Sequence, residues 1–318
     1  CNRIKLAVLG LDSLGREHGD TRSPECVARF DQRSCVLGAG FLYKAANTAH
    51  KGVIAQWACV HDIAKAAFSI PWLNPKGDDM PGNCCGQTRC HGRGQITIND
   101  VVGGRPVAVT FCPLCNSGIT FDRRVAQGTL TFGVSGKLRN SDMVMYDRET
   151  ESWWQQAIGE AIVGDLLGTE LTQIPSWMES WDEYVARNPN GLVMDEPDFS
   201  RQYGRNPYVS YDRSIKPFLY SGEMPPHGIP ALERVVRVGD RAWPLTRLSK
   251  LGEVSEAGIN LSWKAGQASA LDAPQIGKGK DVGTVRVRDA QGNDVPHDVM
   301  FAFAFHAFWP EGTWMLGQ

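Results

Sequence analysis

The sequence has no excess of charge of either sign, with 33 Lys and Arg facing 35 Asp and Glu for a formal balance of -2. A field that weak does not gather nucleic acid or anionic lipid over distance, so no nucleic-acid partner is expected. Long apolar runs are missing too. The longest candidate, residues 299–309, falls well short of the roughly 18 to 20 apolar residues a bilayer-crossing helix needs, and no membrane span is expected. Cysteine and histidine thin out after residue 91, where only Cys112, Cys115, His227, His297 and His306 follow. A structural zinc built on the cysteine pair would need two further Cys or His from that short supply.

What is present belongs to a folding chain: 318 residues, 42% hydrophobic and 21% charged, enough for one large domain or two ordinary ones. The character changes near residue 95. Upstream lie Cys1, Cys26, Cys35, Cys59, Cys84, Cys85 and Cys90, mixed with Gly, Arg and Ser, with little periodicity beyond an apolar stretch at 35–43 and a helical pattern at 61–68. Cys84, Cys85, Cys90 and His91 are numerous enough to hold a metal, but their spacing matches no zinc motif. The start at Cys1 without a signal segment and the cysteine skew suggest a truncated reading, a shifted frame or a divergent splice over residues 1–95. That segment is expected to pack poorly on the rest.

From residue 96 to 318 the pattern is that of one domain rich in strands. Gly103-Gly104 separates alternating runs and predicts a hairpin. Gln127-Gly128 predicts a second one, joining residues 119–123 to 129–134, with a further strand at 143–146. Ser180 followed by Glu183 predicts a capped helix ending near Asn188, before Pro189 and Asn190-Gly191. A strand is expected at 192–194, and residues 195–230 read as a long ordered loop whose tyrosines need burial. Residues 107–122 can be laid beside 259–272, and 146–154 beside 308–314, which predicts two related half-domains. The fold expected is therefore α+β and mostly β: antiparallel sheets in two pseudo-repeated halves with few short helices.

The strongest chemical signal is Cys112-Pro113-Leu114-Cys115. Two cysteines three apart can direct both sulfurs at one ion, close a small disulfide, or simply be buried thiols. A thioredoxin-like redox site would open a helix after the second cysteine, and here Asn116-Ser117-Gly118-Ile119 reads as a turn and a strand. The sulfurs are expected close together on a turn. Residues 135–142 form a polar, glycine-bearing loop expected to stand near that turn. In it Arg139, Asn140 and Ser141 can bind an anion, or Arg139 can pair internally with Asp142 or Asp147. Asp147, Thr150, Glu151, Ser152, Trp154 and Gln155 are a third dense group, in which Asp-x-x-Thr favours a tight turn over acid–base work. His306, in a run that alternates like a strand, reads as packed.

VGGRPVAVTFCPLCNSGITFDRR at 102–124 and TFGVSGKLRNSDMVMYDRETESWWQQ at 131–156 resemble the family catalogued as domain of unknown function 3179. So do YGRNPYVSYDRS at 203–214, GIPALERVVRVGDRAWPL at 228–245 and WKAGQASALD at 263–272, a resemblance running over roughly residues 99–318. It implies Cys112, Cys115, Arg139, Asn140, Ser141, Asp142, Asp147, Thr150, Ser152, Trp154 and Gln156 as motif positions, without roles, and a periplasmic or extracellular location. HGRGQITIND at 91–100 departs from the family pattern, which has a Trp-His-Glu-type stretch there.

Two functions are carried forward, and neither decides whether the protein is an enzyme. In the first, an extracytoplasmic Cys-x-x-Cys site at Cys112 and Cys115 binds a soft transition metal such as zinc or copper, or exchanges thiol and disulfide. In the second, a binding or scaffold module with structural cysteines takes a small anionic or carbohydrate ligand through Arg139, Asn140, Ser141, Asp142, Asp147, Thr150, Ser152, Trp154 and Gln156.

Overall fold

A computed structural model describes residues 5–9, 54–58, 95–188 and 206–317. The expectations at 35–43, 61–68, 84–91 and 192–194 lie outside the described residues. Strands β1 (Lys5–Leu9) and β2 (Ile54–Ala58) pair antiparallel. A meander follows of β3 (Ile96–Val102), β4 (Arg105–Cys112) and β5 (Ser117–Asp122). Its first turn is Gly103-Gly104, at φ 57° and 78°, the left-handed pair that a two-residue hairpin requires.

The short ladder of β6 (Arg124–Val125) and β7 (Gly128–Thr129) leads into a second meander. This one holds β8 (Phe132–Arg139), β9 (Asp142–Asp147), β10 (Trp153–Gln155) and β11 (Glu160–Val163). Strand β12 (Gln173–Ile174) joins β5, and β13 (Ser176–Glu179) lies parallel to β2. Helix α1 (Trp181–Arg187) follows, its Ser180 hydroxyl accepting from the Glu183 amide and Asn188 closing it, as the capping pattern predicts.

The last third holds β14 (Arg234–Val238), β15 (Arg241–Pro244), α2 (Leu245–Leu251), β16 (Glu253–Glu256), β17 (Ile259–Lys264) and β18 (Thr284–Asp289). It ends with β19 (Asp298–Phe301), α3 (Ala302–Phe308) and β20 (Thr313–Trp314). Sheet orders are β19-β14-β15-β20 and β16-β17-β18, antiparallel except where β20 joins β15. The described chain is thus mostly β, with antiparallel sheets and three short α-helices.

Every residue from Val107 to Asp122 is buried, so the β4–β5 hairpin is central and covered on both faces. One cover is the β8–β11 sheet, where Phe132 meets Trp154 edge to face at 5.4 Å. Gly159 permits this closeness, since a Cβ there would stand 2.6 Å from the Phe121 ring and its φ is 72°. The other cover comes from β19 and α3, through Phe301, Phe303 and Phe305.

Three expectations are corrected. The strand at 129–134 does not return beside 119–123: β8 pairs with β9, because the reversal at Gln127-Gly128 carries the chain into a different sheet. The two pseudo-repeated halves do not form. Residues 107–122 are a hairpin, whereas 259–272 hold one strand followed by a loop; 146–154 join two strands, whereas 308–314 join a helix to β20. Alternating apolar text with a small turn is common to many strands and does not encode their partners. Finally, the strand-like run around His306 is helix α3. Ala302, Phe303, Ala304 and Phe305 are all fully buried, so the run shows no polar face from which a period can be read.

Candidate functional site

Strand β4 ends at Cys112, pairs there with Ser117, and turns through Pro113 to Asn116, with the Asn116 amide donating to Pro113 O at 3.3 Å. Asn116 takes the left-handed φ of 55° that this closure needs, and Asn tolerates it better than a branched residue does. Its side chain holds the turn from outside, donating to Val299 O at 2.9 Å and accepting from Arg234 at 3.3 Å. The Phe301 amide donates to Cys115 O at 2.8 Å. Cys112 and Cys115 therefore sit on a hairpin turn rather than a helix start, both fully buried and unbridged.

Asp142 reaches them from the second meander. The β8–β9 turn is Asn140-Ser141, at φ 50° and 65°, so residues 135–142 are mostly the end of β8 and a tight hairpin turn instead of an open loop. Ser141 O accepts from the Cys112 thiol at 3.9 Å. One Asp142 carboxylate oxygen and the two sulfurs all lie within 4.8 Å of one another. Oδ2 of Asp142 accepts from Gln155 Nε2 and, at 2.9 Å, from the Ala157 amide, whereas no N–H or O–H donor reaches Oδ1.

Burial pushes the Asp142 carboxyl up to about 6, against the pull of the Gln155 and Ala157 donors. Burial likewise pushes the Cys115 thiol up, and Cys112 and Asp142 beside it add to the shift. Asp142 and Cys115 thus resist carrying charge without a cation beside them.

Residues 206–220 close over the site. Tyr211 donates to Leu114 O at 3.0 Å and accepts from the Phe218 amide at 3.3 Å, while the Ser141 hydroxyl donates to Phe218 O. Burial raises the phenols of Tyr208 and Tyr211, with the thiols as a lesser cause. Asn206, bonded to Ala273 O at 3.0 Å, and the Arg213–Asp272 ion pair anchor this strap. Within the strap, buried Asp212 pairs with Arg234 at 3.1 Å.

The other candidate residues separate. Arg139 is exposed and lies over the Phe308 ring at 5.7 Å, pairing with neither Asp142 nor Asp147. Asn140 serves the turn. Asp147, Thr150, Ser152 and Trp154 form a closed network at the far end of β9: Asp147 accepts from the Thr150 amide at 2.6 Å, from the Thr150 hydroxyl at 2.9 and 3.0 Å, and from Trp154 Nε1 at 2.8 Å. This is the tight-turn reading of Asp-x-x-Thr. Gln156 lies behind the cysteine turn, accepting from the Ser117 hydroxyl at 2.6 Å and donating to Thr110 Oγ1 at 2.9 Å. His297 is buried away from the thiols, with Nδ1 on Val295 O, and His306 lies 3.9 Å from Glu223.

Gln155 was read from sequence only with the Asp147 group and not among the ligand-binding candidates, although the doubled Gln155-Gln156 in an apolar setting is a signal. Neighbours in an extended chain point to opposite sides, which here sends one amide to Asp142 and the other to Ser117. Tyr208 and Tyr211 were expected to be buried but not to roof the thiols.

The profile of a family described as a protein of unknown function (DUF3179) matches residues 90–312, and the chain belongs to that family. No curated protein and no solved structure matches it.

Proposed function

We propose that Cys112, Cys115 and Asp142 are a buried binding site for a soft or borderline metal ion of the zinc or copper class. The observation that carries this reading is the meeting of two sulfurs and a carboxylate oxygen within 4.8 Å, from two different hairpins, at full burial. Buried polar groups ordinarily find partners, and these three have only partial ones. A cation would turn the two thiols and the carboxyl into ligands, because coordinated thiols lose their protons outright.

The test is metal content of untagged protein together with a free-thiol count before and after chelation. About one metal per chain is expected, lost in Cys112→Ser and Cys115→Ser, with thiols that become countable only after chelation and unfolding. Protein that takes up neither zinc nor copper when supplied under reducing conditions would sink the reading.

Thiol–disulfide exchange is the second reading, supported by the Cys112-x-x-Cys115 spacing on one turn. It is the weaker of the two, because exchange with a partner needs an exposed sulfur and both are sealed under the Tyr211 strap.

A further inference from the structure

Resting on the metal-site reading, we infer that the ion is divalent and borderline, of the zinc class, in preference to Cu(I). Asp142 is the discriminating ligand and Gln155 the residue that positions it.

The argument starts from how this protein treats buried carboxylates. Among the described residues, Asp122, Glu179, Asp212, Asp272 and Asp298 are buried and each meets an arginine. Asp147 has no cation but accepts donors at both oxygens. Among the buried carboxylates of the described residues, Asp142 alone has neither a cation nor an N–H or O–H partner for Oδ1, and beside the carboxyl stand two thiols, of which Cys112 hydrogen-bonds to it. A carboxylate so placed lacks one thing, positive charge.

Charge then selects the ion. Two thiolates and a carboxylate are three negative charges; a divalent ion leaves one of them uncompensated and a monovalent ion leaves two, in a fully buried site. Cu(I) is content with the two sulfurs and gains little from a hard oxygen, whereas zinc accepts sulfur and carboxylate oxygen together, here as three protein ligands with a small exogenous ligand in the fourth position instead of further Cys or His. Gln155 decides which oxygen is offered. Its Nε2 and the Ala157 amide occupy Oδ2, leaving Oδ1 as a single-atom ligand. The Gln155 side chain is itself fully buried, and its Nε2 also reaches Met143 O at 3.4 Å, so its position is held by the sheet.

The experiment measures Zn(II) and Cu(I) affinities of the reduced full chain by competition with chromophoric chelators, for wild type, Asp142→Asn and Gln155→Ala, with circular dichroism to check folding. Asp142→Asn is expected to weaken Zn(II) by about 10- to 100-fold and Cu(I) by less than about 3-fold, and Gln155→Ala to weaken Zn(II) selectively by a smaller factor. The ratio of the two affinities is the readout, since a merely structural defect would lower both together. Equal losses for the two ions, or an unchanged Zn(II) affinity, overturn the inference while leaving the metal site standing. If Asp142→Asn does not fold, Gln155→Ala decides by the same ratio. A wild-type chain that binds neither ion removes the metal reading itself, and this inference with it.

Discussion

The two ends of β9 carry the same residue to opposite effect. Asp142 and Asp147 are both fully buried, five positions apart, which is roughly 17 Å along a strand. Asp147 is a finished structural group: its oxygens take the Thr150 amide and hydroxyl and the Trp154 indole, all within one turn of chain. Asp142 is unfinished. One oxygen is held, the other has no N–H or O–H partner, and the carboxylate lies among thiols contributed by a different sheet. Burial alone therefore does not mark a functional acid, whereas burial with an unfilled valence beside other ligands does.

The largest effect should come from breaking the finished end. Asp147→Ala leaves the Trp154 indole and a Thr150 donor without acceptors, and a loss of roughly 4 kcal/mol in urea unfolding is expected, with metal affinity unchanged in whatever fraction folds. Asp142→Asn should cost metal-free protein almost nothing, because the amide oxygen can keep the Gln155 and Ala157 bonds. Comparable destabilisation by both changes would erase the distinction between the two ends.

His297 sharpens the comparison next, as a buried side chain with an orphaned atom, Nε2, that belongs to no cluster of metal-ligating groups among the described residues. Burial lowers it to about 4 from 6.5, so the folded state keeps it neutral where the unfolded chain would protonate it. The stability it contributes is complete above pH 6.5 and is lost as pH falls from 6.5 towards 4, about 3 kcal/mol in all. Unfolding free energies across that window should slope downward with acid in wild type and less so in His297→Gln. Equal slopes would show that His297 is not held neutral.

A smaller effect is expected at the roof over the unfinished end. Tyr211→Phe removes the donor to Leu114 O and the acceptor of the Phe218 amide, for roughly 1 to 2 kcal/mol. Native-state labelling of Cys112 and Cys115 should speed up accordingly, while the indole fluorescence of Trp154 at the other end stays as it was. Labelling no faster than in wild type would mean that the strap does not control access.

How much of this was legible follows the range of the interactions. The Gly103-Gly104 hairpin, the Ser180 cap, the cysteine turn and the Asp147–Thr150 turn are each decided within a few residues, and each could be read. The partner of β8 could not, because strands 119–123 and 129–134 look alike whether they pair with each other or with third parties. Helix α3 escaped because its first four residues are all buried and its only polar residue is His306, so it has no polar face from which to read a period. The site fell between these cases. Its members were all named, Gln155 only within the Asp147 group, but in company with Asp147, Thr150, Ser152 and Trp154, and only tertiary placement separates the two groups.

Arg139 gives the smallest effect and the closest test of that separation. Its position two residues before Ser141 invites the expectation that its guanidinium lines the cleft with the thiols, or turns inward to Asp142 or Asp147. The fold allows neither: the side chain is exposed, stacked over Phe308 at 5.7 Å, while the thiols lie sealed beneath Tyr211. An exposed cation screened by water contributes little to a buried thiol, and a surface cation–ring contact is worth about 0.5 to 1 kcal/mol at most. Arg139→Ala should therefore change stability by about 0.5 kcal/mol, leave Zn(II) affinity as it was, and leave the pH profile of thiol labelling superimposable on wild type. A labelling profile shifted to higher pH would put the guanidinium beside the sulfurs after all. It would also supply the cation that Asp142 otherwise lacks, and so remove the ground for treating the two ends of β9 as different.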